Sequence, residues 1–184
     1  MHQVKLIEEC KLNNKRAQIT LYRKYNQAMY NVAMRLLKNS ENADDVIQES
    51  FLSAFKNIHQ FKGEVTFGAW LKKIVIHKCL NLLKKKTIDV VSLNENQIYK
   101  IEDTSAELDW NFDGMVVLDD VKATIDKLPN KYKFVLLLYL IEGYDHEEIS
   151  EILAISVIAS RTQLMRGKIK LRQLLKNKGY GTES

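Results

Sequence analysis

The chain has 184 residues, a formal net charge of +5 and a pI near 9.0. One Pro and seven Gly, with frequent Ala, Leu, Ile and Lys, favour helices over sheet and fit one or two compact domains. Cys10 and Cys79 lack a C-x-x-C spacing and a histidine cluster, which argues against a disulfide framework or zinc site and favours a reducing cytoplasm. The longest apolar run, Phe134 to Ile141, is far shorter than the ~20 residues of a membrane helix, so we expect no membrane insertion.

Helical spacing of apolar residues organises the first half of the chain. It predicts a short helix from Val4 to Cys10 and a long helix from about Ala17 to Leu37. A turn over Asn39 to Asn42 follows, and either Ser40 or Asn42 is the expected N-cap of a third helix.

The third helix is predicted to have two different faces. Its apolar stripe recurs at i, i+4, i+7, i+8 and i+11, which is one side of a helix packed on a core. The other side is acidic and polar, and a protein partner can bind it. The stripe consists of Ile47, Phe51, Ala54, Phe55 and Ile58, and the other side carries Asp45, Gln48, Glu49 and Leu52.

An aromatic loop and a lysine-rich helix come next. From His59 to Trp70, aromatic residues alternate with polar and basic ones, a composition that can stack unpaired bases and hold their phosphates. The range from Phe67 to Ile88 has no acid, so we expect a helix that faces phosphates. The residues concerned are Phe61, Lys62, Gly63, Thr66, Phe67 and Trp70 in the loop and Lys72, Lys73, Lys78, Lys84, Lys85 and Lys86 in the helix.

The composition then changes sharply. From Thr87 to Gly114 seven acids stand against the single base Lys100, a net charge of −6. We expect a flexible linker with little core of its own. Residue composition leaves open whether this segment is only a solvated tether or has a binding role.

The sequence pattern of the second half of the chain predicts four helices. The first runs from near Asp119 to about Lys127, and the second begins at Leu128-Pro129, with Pro in the first turn. The range from Tyr132 to Glu142 is apolar nearly all round and is expected to form the core, ending at Gly143 in a left-handed cap.

A short helix and a longer basic helix close this half. Asp145 and Glu148 predict a capping box that opens a helix through Leu153, and Ser156 is the expected N-cap of the last helix after a turn at Ala154-Ile155. On the last helix Val157, Ser160, Leu164, Leu171 and Leu174 are expected to face inward, and Arg161, Thr162, Met165, Arg166 and Lys168 outward.

This arrangement predicts a helix-turn-helix, whose second helix enters the DNA major groove. The range from Ser156 to Lys178 holds seven bases and no acid, which favours a face toward DNA. We find no motif for catalysis, cofactor binding or metal binding: Asp44, Asp45 and Glu49 have no histidine at ligand spacing and suit a helix start instead. We therefore expect a protein that is not an enzyme.

Two stretches resemble a known family. Asp45-x-x-Gln48-Glu49-x-Phe51, followed by Phe61-x-Gly63-Glu64-x-x-Phe67-x-x-Trp70-Leu71, is similar to region 2 of bacterial extracytoplasmic-function sigma factors, which are promoter-recognition subunits of RNA polymerase. Residues 128–175 resemble region 4 of the same family. The resemblance implies an all-α protein with a region 2-like domain (1–88), an acidic linker (89–114) that lies in the RNA path of the polymerase, and a region 4-like domain (115–184).

The resemblance also implies a role for named residues and partners. It implies binding to core RNA polymerase, to both promoter elements and to an anti-sigma factor, with no cofactor. The positions that match are Asp45, Gln48, Glu49 and Leu52 for core polymerase; Phe61, Lys62, Gly63, Thr66, Trp70, Lys73, His77 and Asn81 for the minus-ten element; and Ser160, Arg161, Thr162, Met165, Arg166 and Lys168 for the minus-thirty-five element.

Four positions depart from the family pattern. His77 stands where Asn is usual, Ala154 where the turn usually has Gly, Ile158 where Gly is common and Ser160 where Val is common. The departure at His77 concerns the preferred minus-ten sequence, and those at Ile158 and Ser160 concern readout of the minus-thirty-five element. Ala154 would cost roughly 1 kcal/mol if the turn requires a left-handed residue. The alternative function is a stand-alone helix-turn-helix regulator that dimerises on a palindrome, although no dedicated apolar dimer stripe is found.

Overall fold

The structure is a computed structural model that describes residues 2–88 and 118–180. These residues form helices and turns without a strand, so the predicted all-α fold is confirmed. The chain divides into two compact units, residues 1–95 and 96–184. The predicted acidic linker and the boundaries at residues 88 and 114 fall largely outside the described residues and stay predictions.

Over residues 2–88, the first unit contains four helices and a 3₁₀ turn. Three of the helices, α2, α3 and α4, pack against one another, and α1 lies on α2. Their shared core includes Leu21, Ile58, Phe67, Leu71 and Ile76, each almost fully buried. The helices are α1 (His2–Lys11), α2 (Lys15–Leu37), α3 (Ser40–Lys56) and α4 (Phe67–Ile88), with the 3₁₀ turn at Ile58–Gln60.

Side-chain caps determine where these helices begin. Asn14 Oδ1 accepts hydrogen bonds from the backbone N–H groups of Arg16 and Ala17, so α2 starts two residues before the predicted Ala17. The predicted caps of α3, Ser40 and Asn42, are wrong. Asn39 has the extended backbone that an N-cap requires, and its Oδ1 accepts a bond of 2.8 Å from the Asn42 N–H.

The second unit is built around its last helix, α8, which packs on the other three. Ile125, Leu136, Leu138, Ile149 and Leu171 form a core with almost no exposure. The helices are α5 (Leu118–Ile125), α6 (Asn130–Leu136), α7 (His146–Leu153) and α8 (Val157–Lys176), and α6 continues into a π-helical turn, Leu137–Ile141. In the described part of the chain, no helix is long and apolar enough to span a membrane.

The π-helical turn corrects the prediction of one uniformly buried helix from Tyr132 to Glu142. It is closed by a bond of 3.0 Å from the Glu142 N–H to the Leu137 carbonyl, an i to i+5 spacing that changes the register of the turn. Tyr139 and Leu140 therefore lie at the surface, 37% and 39% exposed. Gly143 follows with a φ of +77°, which confirms the predicted left-handed cap.

The start of α6 differs from the prediction by one position. Pro129 is the N-cap of the helix, and its carbonyl accepts bonds from the N–H groups of Tyr132 and Lys133. Proline suits this place because it has no N–H that the helix start would leave unsatisfied.

The helix-turn-helix has the predicted caps. Asp145 Oδ1 accepts a bond of 2.8 Å from the Glu148 N–H, and Glu148 Oε2 accepts one of 3.1 Å from the Asp145 N–H, which confirms the capping box. Ser156 Oγ accepts a bond from the Ala159 N–H and opens α8. Between the two helices Ala154 has φ 55° and ψ 48°, the left-handed conformation that glycine tolerates best.

The conformation of Ala154 predicts that Ala154→Gly stabilises the second unit. Removing Cβ relieves about 1–2 kcal/mol of left-handed strain, and the entropy lost by glycine on folding offsets about 0.5–1 kcal/mol of that gain. We expect a net increase of up to about 1.5 kcal/mol in the free energy of unfolding, measured by denaturant titration. Ala123→Gly, at an exposed helical position of the same unit, is the control and should destabilise. Destabilisation by both changes would contradict this account of the turn.

Candidate functional site

The polar side of α3 faces solvent along its length. Asp45, Gln48 and Glu49 are exposed, and Leu52 is 71% exposed although it is a large apolar side chain. The opposite side, with Ile47 and Phe51 among others, is buried in the core of the unit. The fold therefore presents an acidic surface with one apolar residue, which we call the α3 face (Asp45, Gln48, Glu49, Leu52).

An ion pair joins the α3 face to the neighbouring helix. Lys78 Nζ of α4 lies 3.3 Å from Glu49 Oε2, with the Glu49 side chain 67% exposed. Such an exposed pair adds little to stability, because water screens it. The pair does orient Lys78 toward α3. The sequence predicted that Lys78 faces phosphates together with the other lysines of this helix, and the ion pair corrects that prediction for Lys78.

Two of the three predicted aromatic residues are buried, which corrects the prediction that all three rings can stack on bases. Phe61 precedes α4, whereas Phe67 and Trp70 lie in its first turn and not in the loop. Phe61 is 8% exposed and Phe67 is 1% exposed. Their ring centroids lie 5.8 Å apart in an edge-to-face arrangement, and each lies within 6 Å of the Trp70 ring. The rings of Phe61 and Phe67 belong to the core, and Trp70 alone of the three is partly exposed.

The loop between these rings is open to solvent. Lys62, Gly63 and Thr66 are exposed, and Gly63 has a φ of +80°, which other residues rarely adopt. Thr66 has a second role, since its Oγ1 accepts a bond of 3.2 Å from the Ala69 N–H and caps α4. The loop thus offers an exposed lysine and a threonine hydroxyl next to a tryptophan.

The outward side of α4 brings three of the predicted residues together. Trp70, Lys73 and His77 line a surface groove of about 450 Å³, with Ser53, Ile74 and Lys78 completing its walls. Asn81 is exposed one turn further along the helix. The sequence did not predict Ser53, which belongs to α3 and reaches this groove only through helix packing.

The second helix of the helix-turn-helix presents a mixed outer surface. Arg161 is exposed, and its Nη2 lies 3.8 Å from Glu147 Oε1 of α7, with both side chains largely exposed. Thr162, Met165, Arg166 and Lys168 are partly exposed. The first turn of this helix also carries Ile158, 77% exposed.

Ser160 does not lie on this outer surface, contrary to its inclusion among the DNA-binding residues. It is fully buried, and its Oγ lies 2.9 Å from Nδ1 of His146. Its position on the wheel of α8 matches Leu164 and Leu171, which face the core, so the inward orientation also predicted for it is the observed one.

His146 connects α7 to α8, a role that the sequence does not predict. The His146 ring stacks on the Tyr139 ring, with centroids 5.1 Å apart. Lys168 Nζ lies 5.6 Å from the centroid of the same Tyr139 ring. Burial is the main cause that lowers the pKa of His146, followed by the charge of Arg161. A neutral imidazole at neutral pH suits its bond to Ser160. No local sequence pattern indicates this contact, because its partners come from two other elements, the π-helical turn and α8.

Within residues 2–88 and 118–180, no group of three or more His, Cys, Asp or Glu side chains lies close enough to hold a metal ion. Burial raises the pKa of Cys10 to about 11 and that of Cys79 to about 12, so both thiols stay protonated and unreactive at neutral pH.

Two family models match the sequence in the same order as the two helical units. The model described as Sigma-70 region 2 matches residues 21–87, and the model described as Sigma-70, region 4 matches residues 118–171. A similar curated protein is the ECF RNA polymerase sigma factor SigW of Bacillus subtilis (strain 168), 29% identical over 160 residues, which covers 83% of this chain and 86% of SigW.

Solved structures show the same fold. CnrH, determined in complex with the cytosolic domain of CnrY, aligns with a TM-score of 0.58 at 23% identity over 94% of this chain and 96% of the other. The sigma factor RpoE from Bartonella quintana, determined in complex with the anti-sigma factor NepR, also aligns with a TM-score of 0.58, at 18% identity over 85% of this chain and 95% of the other.

Each matched region covers most of the helices of one unit. The motif over residues 45–71 lies inside the first matched region, and residues 128–175 overlap the second. The chain belongs to the extracytoplasmic-function sigma factors.

Proposed function

We propose that this chain binds core RNA polymerase, recognises promoter DNA and helps to melt the minus-ten region so that transcription starts. The observation that carries this proposal is the arrangement of the first unit, in which an acidic face on α3 lies beside a basic and aromatic groove on α4. A protein that must bind a polymerase and DNA at once needs two such surfaces. Relatives named as RNA polymerase sigma factors support the same function.

The α3 face is proposed to bind the core polymerase. Its carboxylates can pair with basic side chains of a partner, and the exposed Leu52 can supply apolar area that becomes buried on binding. The core side of α3 is packed against its own unit, whereas this face is exposed and available to a partner.

The groove on α4 and the loop before it are proposed to hold the opened minus-ten strand. Unstacking a base costs a few kcal/mol. Stacking on an aromatic ring returns about 1–3 kcal/mol per base, and lysine contacts to phosphates add to this. Trp70 is the ring available for stacking, Lys73 and His77 line the same groove, and Phe61 supports the ring from the core. Lys62 in the loop and Asn81 further along α4 are proposed to contact the same strand.

The second unit is proposed to bind the minus-thirty-five element through α8. Arg161, Thr162 and Met165 lie on or beside its outer face near the N-terminal end, where a recognition helix approaches base edges. Arg166 and Lys168 are proposed to contact the backbone. Ser160 is left out of this set because it is buried.

We further infer that the protein is a cytoplasmic initiation factor, not an enzyme, and that an anti-sigma factor controls it. The relatives named as sigma factors support the first inference. The second is supported by the fold that it shares with a sigma factor solved together with an anti-sigma factor. Residues 89–114 are proposed to be the acidic linker between the two domains.

The first prediction concerns the α3 face. Gln48→Ala/Glu49→Ala should weaken binding to core polymerase by on the order of ten- to a hundredfold, because these side chains occupy the centre of the proposed contact. Fluorescence anisotropy of the labelled chain with purified core polymerase measures this. The control, Glu8→Ala/Gln27→Ala, changes the same residue types at exposed positions of α1 and α2.

Equal affinity of the two double variants would contradict the proposed docking face. If the wild-type chain bound DNA alone but never bound core polymerase, the stand-alone regulator would become the better account of the whole chain.

The second prediction concerns Arg161. Arg161→Ala should weaken binding of the minus-thirty-five element by about 1–3 kcal/mol and relax the base preference at one position. Competition binding of the holoenzyme against a library with every base varied in that element measures both. Lys176→Ala, an exposed base in the last turn of α8, is the control and should leave the base preference unchanged. An unaltered preference profile for Arg161→Ala would count against base reading by this residue.

The third prediction concerns the open loop. Lys62→Ala should reduce the slope of log affinity against log salt for promoter binding by about 1, with little dependence on sequence, because one phosphate contact is lost. Filter binding of holoenzyme at several salt concentrations gives the slope. Lys15→Ala, an exposed lysine at the start of α2, is the control. The same slope for Lys62→Ala, Lys15→Ala and the wild type would show that Lys62 makes no phosphate contact.

A further inference from the structure

The first turn of α8 exposes a large apolar side chain. Ile158 is 77% exposed, more than Leu118, Tyr139 or Leu140, the other exposed large apolar residues described in the second unit. Thr162 and Met165 follow at i+4 and i+7, so the three share the outer side of the helix. The opposite side carries Ser160, which is buried in the unit.

The fold does not require an isoleucine at this position. At this exposure its side chain adds little to the core, and isoleucine forms helices less readily than alanine. A single exposed apolar residue is common on protein surfaces and means little alone. The position of Ile158 is what matters here. It lies at the N-terminal end of the second helix of the helix-turn-helix, and that end approaches base edges.

The chemistry of the major groove suggests one partner for this side chain. The C5-methyl of thymine is the apolar group that a base pair presents there. We propose that Ile158 packs against a thymine methyl in the upstream promoter element and so helps to determine which sequence is read. This inference rests on the proposed function of the second unit as a DNA-binding domain.

The position of Arg161 indicates where in the promoter element the proposed thymine lies. Arg161 is three residues further along the helix, so its Cβ lies about 5–6 Å from that of Ile158. Stacked base pairs are about 3.4 Å apart. The thymine is therefore within about two base pairs of the base that Arg161 reads.

Charge argues for DNA as the occupant of this surface. The range from Ser156 to Lys178 carries seven bases and no acid, which attracts phosphates and disfavours a second copy of the same helix face. Arg161 in the next turn can anchor the helix beside the apolar contact.

Thymine-to-deoxyuridine replacement tests the proposal, because it removes only the methyl group. Each thymine of the upstream element in a promoter that the holoenzyme transcribes is replaced singly, and affinity is measured by competition. We expect one position near the Arg161 contact to lose roughly fourfold in affinity with the wild-type holoenzyme, the effect of burying one methyl group. In Ile158→Ala the affinity for unmodified DNA should fall severalfold, and the deoxyuridine penalty should disappear.

Ile19→Ala, an exposed isoleucine of α2 in the first unit, is the matched control and should keep the full penalty. Two results would overturn this inference alone. In the first, the holoenzyme transcribes a promoter but no thymine-to-deoxyuridine replacement lowers its affinity. In the second, the replacement lowers affinity equally for Ile158→Ala and the wild type. Failure of the wild-type holoenzyme to initiate at any promoter would overturn the proposed function and this inference together.

Discussion

The functional surfaces of the first unit depend on the burial of one side of α4. Phe67, Leu71, Val75, Ile76 and Cys79 have almost no exposure, and large apolar side chains contribute about 1.5–3 kcal/mol each when fully buried. Because α2 and α3 cover that side, the polar and basic residues of α4 must face outward. The same packing holds α3 with its acidic side exposed, so one core positions both proposed binding surfaces.

The second unit meets a comparable constraint where α8 crosses α6. A Cβ at Gly167 would lie 3.1 Å from Leu136 Cδ1 and 3.3 Å from Tyr132 Cβ, so any larger residue would force these side chains to shift by a few tenths of an ångström. Once this contact and the left-handed Ala154 set the angle of α8, Ile158 and Arg161 face outward and Ser160 meets His146. The proposed reading of DNA thus depends on packing on the opposite side of the same helix.

The two surfaces of the first unit suit different partners because their chemistry differs. The α3 face offers carboxylates and a leucine, which suit a protein partner, whereas the groove on α4 offers a tryptophan, lysines and a histidine, which suit an unpaired strand. The ion pair between Lys78 and Glu49 lies between them. Both surfaces therefore lie on one helical core, so the proposed binding of the polymerase and of DNA can occur on the same unit.

Local patterns in the sequence determined the all-α class, most helices, the capping box at Asp145 and the exposed side of α3, because periodicity and caps act over a few residues. They did not determine which aromatic rings are free, that Ser160 is buried or that Ser53 borders the groove. Those outcomes depend on which helix lies against which. Tertiary packing alone put Phe61 into the core, left Trp70 partly exposed, turned Tyr139 outward through the π-helical turn and brought His146 to Ser160.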